Sequence, residues 1–243
     1  MAERPLNAWV LSDGQPGHYN QARGIVRALR RIRPVEVSRI NAELRLGLAR
    51  GLLRSVLNRN RAPVSLWPLR LAYRFDALPD ANCDLMVSAG GKTSFANAWL
   101  AAVFQVPNLY AGSLRGLSAR RFSVVLTLEP VPGAASNLVV PLPPSAIDPD
   151  QVEQLGAALR RQLGPPGQRY WALLLGGDGA GYRYTQADWL CLAALLSSLA
   201  RRHDIRWLLV SSRRTGRRAE ALLKGHVDAA CVAHACWYRD RDE

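Results

Sequence analysis

Strand-like runs and helical patterns take turns along almost the whole chain, and that alternation limits its fold more than any other feature. Apolar runs rich in β-formers lie at residues 8–11, 35–40, 85–89, 122–126, 138–142, 171–175 and 207–210. Between many of them come stretches with helical spacing, at 20–31, 42–58, 94–103, 151–162, 186–202 and 217–223. Strands separated by helices are too far apart in sequence for hairpins, so the pattern predicts parallel sheets with crossover helices, an α/β fold class.

Two proline-rich punctuations, "PLPPSAIDPD" at 141–150 and "GPPGQ" at 164–168, bracket one helical segment, after which a strand, a glycine loop and a helix begin again at Trp171. This predicts a first unit over 1–145, a linker helix and hinge over 146–168, and a second unit over 169–243. The cleft between the two is the expected ligand site.

The net charge is +13, carried almost wholly by Arg, with Lys only at 92 and 224. Such a field favours anionic partners. The segment 27–61 holds ten arginines against Glu36 and Glu43, interleaved with leucines. It reads either as a helix packed on the sheet with a solvated basic edge, or as a surface for anionic lipid. Nucleic acid is not expected, because aromatic interleaving and the known binding motifs are missing.

Cys83, Cys191, Cys231 and Cys236 sit singly in apolar surroundings, as buried reduced thiols of a cytoplasmic protein do. Cys231, His234 and Cys236 lack a fourth ligand at a standard spacing, so no metal and no cofactor is expected. The N-terminus lacks the apolar core of a signal peptide, and no apolar run approaches the ~18 residues of a membrane span.

Four loops carry the candidate chemistry. "SDGQPGHYNQ" follows the first strand and crowds Ser12, Asp13, Gln15, His18, Asn20 and Gln21 around Gly14 and Gly17, at a strand end where α/β ligands bind. His18 can exchange a proton near neutral pH, and Asp13 either orients it or acts as the base itself. In "SAGGKTSF", Gly90, Gly91 and Lys92 open a helix and can cradle a phosphate, although the spacing is not that of a P-loop. In "LLLGGDGAGY", Gly176, Gly177 and Asp178 follow the first strand of the second unit, and their amides suit a diphosphate. In "VSSRRTG", Ser211, Ser212, Arg213, Arg214 and Thr215 end the next strand with hydroxyls and guanidiniums suited to phosphate oxygens.

These four stretches, in this order, resemble the Elm-type family named after a plant mitochondrial fission factor, whose bacterial members carry the name glycosyltransferase. "LSDGQPGHYNQARGI" matches the family's opening DGxxGHxNQ pattern, "SAGGKTSFANAWLA" its first glycine loop, "LLLGGDGAGYRYT" its LxGG element and "SSRRT" its SRRT element. The resemblance implies two facing Rossmann-like units of the glycosyltransferase B type, without an obligatory metal. A nucleotide-sugar donor is expected on Gly176, Gly177 and residues 211–215, and an acceptor beside Asp13 and His18. The family's acidic-His element is absent between the loops, where Glu129 stands without a histidine. The family pattern continues beyond residue 243, so the second unit is expected to be incomplete and the protein truncated at its C-terminus.

The expected activity is sugar transfer from a nucleotide-diphosphate donor to a lipid-linked or lipopolysaccharide-core acceptor, at the cytoplasmic membrane face. Nucleotide-sugar epimerisation is the alternative enzymatic reading. A non-catalytic adaptor binding protein or membrane partners is the alternative outside catalysis.

Overall fold

A computed structural model of the protein describes residues 4–45, 47, 49–59, 63, 65–76, 78, 82–164, 167–179 and 181–241. Arg61 of the basic segment, Leu46 and Leu48 of the expected 42–58 helix, Pro165 and Pro166 of the second punctuation and Ala180 of the third loop lie outside the described residues. The fold is mixed α/β and divides into two compact units, Met1–Asp148 and Pro149–Glu243.

The first unit holds β1 (Leu6–Ser12), α1 (Pro16–Arg30), β2 (Val35–Leu44), α2 (Ala49–Asn58), α3 (Trp67–Ala72), β3 (Tyr73–Phe75), β4 (Leu85–Ala89), α4 (Ser94–Phe104), β5 (Asn108–Ala111), β6 (Val124–Thr127) and β7 (Asn137–Val139). Its seven strands form one sheet in the order β3-β2-β1-β4-β5-β6-β7, parallel except for β3. Residues of β1 alternate between two cores. Trp9 and Leu11 pack with α2, α3 and α4, while Ala8 and Val10 pack with Ala22, Ile25 and Val26 of α1. A strand covered on both faces has no wet side, which is why β1 is apolar from Ala8 to Leu11 and β4 is interrupted only by Ser88, which is buried and accepts from Asn97 at 2.9 Å.

Three local expectations are corrected. The helix expected from Asn20 begins at Pro16, whose fixed φ suits a first helical turn. That places His18 on the helix instead of in the loop. The expected 42–58 helix is in part strand. Ala42, Glu43 and Leu44 continue β2 and pair antiparallel with Phe75, Arg74 and Tyr73, and the helix starts only at Ala49. A partner segment some 30 residues away decided those positions over local spacing. The strand β5 was hidden by its polar first residue. Asn108 is buried because its side chain is fully engaged, donating to Asn97 Oδ1 at 2.7 Å and the Arg121 carbonyl at 3.0 Å, and accepting from the Ser123 amide at 2.8 Å.

The second unit holds α5 (Pro149–Leu163), β8 (Arg169–Leu174), α6 (Gln186–His203), β9 (Ile205–Val210), α7 (Gly216–His226) and β10 (Val232–Cys236). Its sheet is β10-β9-β8, all parallel. Leu196, Trp207, Leu209 and Leu223 centre a core shared by α6, α7 and β9. A capping box starts α6: the Thr185 hydroxyl accepts from the Asp188 amide at 3.3 Å, and the Asp188 carboxylate accepts from the Thr185 amide at 2.7 Å. The bond from the Thr185 amide, together with one from the Thr185 hydroxyl at 2.7 Å, holds the Asp188 carboxyl below the usual carboxylate range. Among the described residues, no helix is long and apolar enough to cross a membrane.

Candidate functional site

In the first sheet β1 and β4 are neighbours, but the connection after β1 runs toward β2 and the connection after β4 runs toward β5. At such a reversal the loops beyond the strands' carboxyl ends diverge and open a crevice, where open α/β sheets bind ligands. The loops in question are 13–15 and 90–93.

Gly14 turns the first loop at φ +76°, a left-handed conformation that glycine adopts without strain. Asp13 is used twice there. One carboxylate oxygen accepts from the Gln15 amide at 3.1 Å, and the other lies 2.8 Å from His18 Nδ1. The Asp13 side chain is 1% exposed and that of His18 38% exposed. A carboxylate accepts hydrogen bonds, so in the neutral ring Nδ1 is the donor and Nε2 keeps the lone pair. The ring lies on the second loop: a Cβ on Gly90 would stand 2.2 Å from His18 Nδ1. Gly90, at φ +86°, is therefore glycine for close approach as well as for conformation.

The second loop is tied internally. The Thr93 hydroxyl donates to the carbonyls of Ala89 and Gly90, both at 2.9 Å, and the Ser94 hydroxyl donates to that of Gly91 at 3.1 Å. The Tyr73 hydroxyl donates to the Lys92 carbonyl. The amides of Gly91 and Lys92, one turn before α4, donate to no other described residue. Two buried phenols flank the crevice. Burial pushes Tyr110 up to about 12 and raises Tyr73 as well, so both remain neutral donors.

Arg115 is the site residue that sequence reasoning missed. It has φ +49°, unusual for a residue with a Cβ, and its side chain covers Gly91, where a Cβ would meet Arg115 Nε at 2.5 Å. The available signal was an arginine between Gly112 and Gly116 after a strand. That strand, β5, was itself unrecognised. Gln21, one turn along α1 from His18, lines a hollow of 530 Å³ beyond the ends of β5 and β6, together with Arg115. Asn20 instead faces Ser145, its side-chain amide donating to the hydroxyl at 3.3 Å. Nothing lies within 4 Å of where a Gly17 Cβ would stand.

The second unit has its own hollow of 490 Å³, at the carboxyl ends of β8 and β9 and between the starts of α6 and α7. Its lining includes Asp178, Tyr184, Trp189, Arg214, Arg217 and Arg218. The other expected residues in this region build the loops. Ser211 is buried, donating to Glu220 at 2.5 Å and accepting from the Tyr238 amide at 2.7 Å. The Thr215 hydroxyl donates to the carbonyls of Leu175 and Gly176, and accepts from the Ser212 amide at 3.0 Å. Asp178 accepts from the Tyr184 amide at 2.9 Å. Gly177 packs against the Arg214 backbone, Arg213 is exposed, and a Cβ on Gly176 would meet nothing within 4 Å. Cys231 is buried while His234 is exposed, and among the described residues no group of three His, Cys, Asp or Glu side chains could hold a metal ion.

No curated protein sequence matches this one. Residues 16–242 match the model of one family, described as mitochondrial fission ELM1, and with nearly its whole length covered the protein belongs to that family.

Proposed function

We propose that this protein is a glycosyltransferase, moving a sugar from a nucleoside-diphosphate donor to an acceptor hydroxyl. The observation that carries the reading is the His18–Asp13 pair at the sheet's reversal point, with an accessible ring held by a buried carboxylate. In the proposed step His18 Nε2 takes the acceptor's hydroxyl proton, and the oxygen's electron pair forms a bond to the anomeric carbon. The bond from that carbon to the diphosphate oxygen breaks, and its pair leaves with the nucleoside diphosphate. Asp13 keeps the ring oriented and balances the imidazolium charge.

The chemistry of the second unit's hollow supports a donor site there. Tyr184 and Trp189, with ring centroids 5.4 Å apart, offer faces to a base. Arg214, Arg217 and Arg218, beside the start of α7, offer forked donors to a diphosphate. Uridine, adenosine and guanosine diphosphates, each added in a thermal unfolding series, test this reading. At a hundredfold excess over Kd a ligand contributes about 2.7 kcal/mol, roughly 10–20 °C for a unit of this size. One of the three is expected to give such a shift, and R214Q to remove most of it. A flat response to all three favours the non-catalytic adaptor.

A peripheral location at an anionic membrane is supported by α3. Trp67 and Leu71 are 65% and 61% exposed and share a helix face with exposed Arg70. An aromatic and a leucine beside a cation suit the headgroup boundary of an acidic bilayer. The protein is expected to sediment with vesicles of phosphatidylglycerol and phosphatidylcholine, and a W67S/L71S variant to stay in the supernatant. Equal sedimentation of the two proteins would remove α3 from that role.

A further inference from the structure

We infer that the acceptor is an anionic amphiphile, its apolar tail lying in the first unit's hollow and its phosphate on Arg115. This deepens the transfer reading and rests on it for the word acceptor, while the binding site stands on its own observations.

The hollow's walls are the first of these. Leu114, Leu126, Leu128, Val131 and Val140 line it together with Pro130, Pro132, Pro143 and Pro144. A cavity meant for a sugar or nucleotide alone needs a dense set of free donors and acceptors, because each polar group it desolvates must be paired. Here one of the few polar side chains is already engaged: the Thr127 hydroxyl donates to the Glu129 carbonyl at 2.6 Å and accepts from Asn137 at 2.8 Å. What remains is mainly apolar surface, and Leu128 stands 56% exposed to water. Covering such surface with a hydrocarbon tail is favourable in proportion to the apolar area removed from water. Prolines on the walls have little freedom to lose when a tail is seated. The volume, 530 Å³, lies within the range of small-molecule sites.

The second observation is Arg115. Its backbone is held in the left-handed region, a cost that persists only where the surroundings over-determine it and that clusters at ligand sites. Its guanidinium forms no ion pair among the described residues, including with Glu129, the carboxylate in the hollow's lining. It crosses Gly91, whose amide, like that of Lys92, donates to no other described residue, and the preceding residue, Gly90, lies against the His18 ring. The hollow thus has an apolar body and, at Arg115, a cationic end, and the same side chain crosses Gly91, one residue from the Gly90–His18 contact. A molecule complementary to both has a hydrocarbon tail attached to a phosphate, with its reacting hydroxyl close to that phosphate.

Isothermal titration with dodecyl phosphate below its micelle threshold tests the assignment, with inorganic phosphate and dodecyl maltoside as comparators. Dodecyl phosphate is expected to bind at least tenfold more tightly than either. R115Q is expected to bring it down to the level of dodecyl maltoside, and V131D to remove binding. Inorganic phosphate binding as tightly as dodecyl phosphate would overturn the tail site, and unchanged binding by R115Q would overturn the role of Arg115. The ligand-free melting temperatures of R115Q and V131D, expected to match that of the wild type, report whether the first unit is intact. A nucleotide shift without dodecyl phosphate binding defeats this inference and leaves sugar transfer standing. Dodecyl phosphate binding without a nucleotide shift supports the amphiphile site and defeats transfer.

Discussion

H18N is expected to lower turnover in the proposed sugar transfer by roughly 10²- to 10⁴-fold, the range supplied by a positioned general base, and to leave the proposed nucleoside-diphosphate stabilisation of the second unit as in the wild type. Asparagine is the informative replacement, because its side-chain amide can donate to Asp13 where Nδ1 does, but has no counterpart of Nε2. The loop geometry set by Asp13, which also holds the Gln15 amide, is thereby kept. D13N is expected to fall almost as far for a different reason. An amide in that buried place no longer enforces the Nδ1–H tautomer or offsets the charge gained by the ring. Turnover of H18N within a factor of two of wild type would remove His18 as the base, and with it the main support for the transfer reading.

G177A unfolds or loosens the second unit, and G176A one residue earlier leaves it nearly unchanged. A Cβ on Gly177 would stand 1.9 Å from the Arg214 carbonyl oxygen and 2.7 Å from the Thr215 amide nitrogen, both backbone atoms that cannot rotate away. The loops after β8 and β9 would have to separate. Their separation breaks the hydrogen bonds from the Thr215 hydroxyl to Leu175, at 3.0 Å, and to Gly176, at 2.7 Å. Forcing extra volume into such a contact costs about 3 kcal/mol, roughly 10–20 °C in the melting temperature of a unit this small. Nucleotide stabilisation should be lost as well, since the hollow includes Arg214 and Thr215. Equal melting temperatures for G177A and G176A would mean that the two loops are not in close contact in solution.

These two positions also show what a sequence can and cannot display. Gly177 stands out as one of a run of glycines, and a phosphate-binding role is the natural reading of such a run. The structure gives it a packing reason, contact with the backbone of Arg214 in a different loop, which no local pattern records. Ser211 and Thr215 behave likewise. Their hydroxyls look free in a motif of hydroxyls and guanidiniums, and both hold neighbouring loops together. Asp13 and His18 were legible as a polar crowd at a strand end. That one is buried and the other exposed, and that they touch, follows from Pro16 starting the helix early and turning His18 back over the loop.

Apolar periodicity and the placing of glycines after strands were enough to determine an α/β protein with parallel strands and loops able to carry chemistry at their carboxyl ends. Both are local properties, set within a few residues by backbone sterics and by the repeat of helix or strand. Which loops meet was decided only by strand order. The pairing of β1 with β4 brings residues from opposite halves of the first unit side by side, and it sets His18 on Gly90 and Arg115 on Gly91. Long-range pairings are chosen by the burial of two whole sheet faces at once, a collective free energy that no single segment carries.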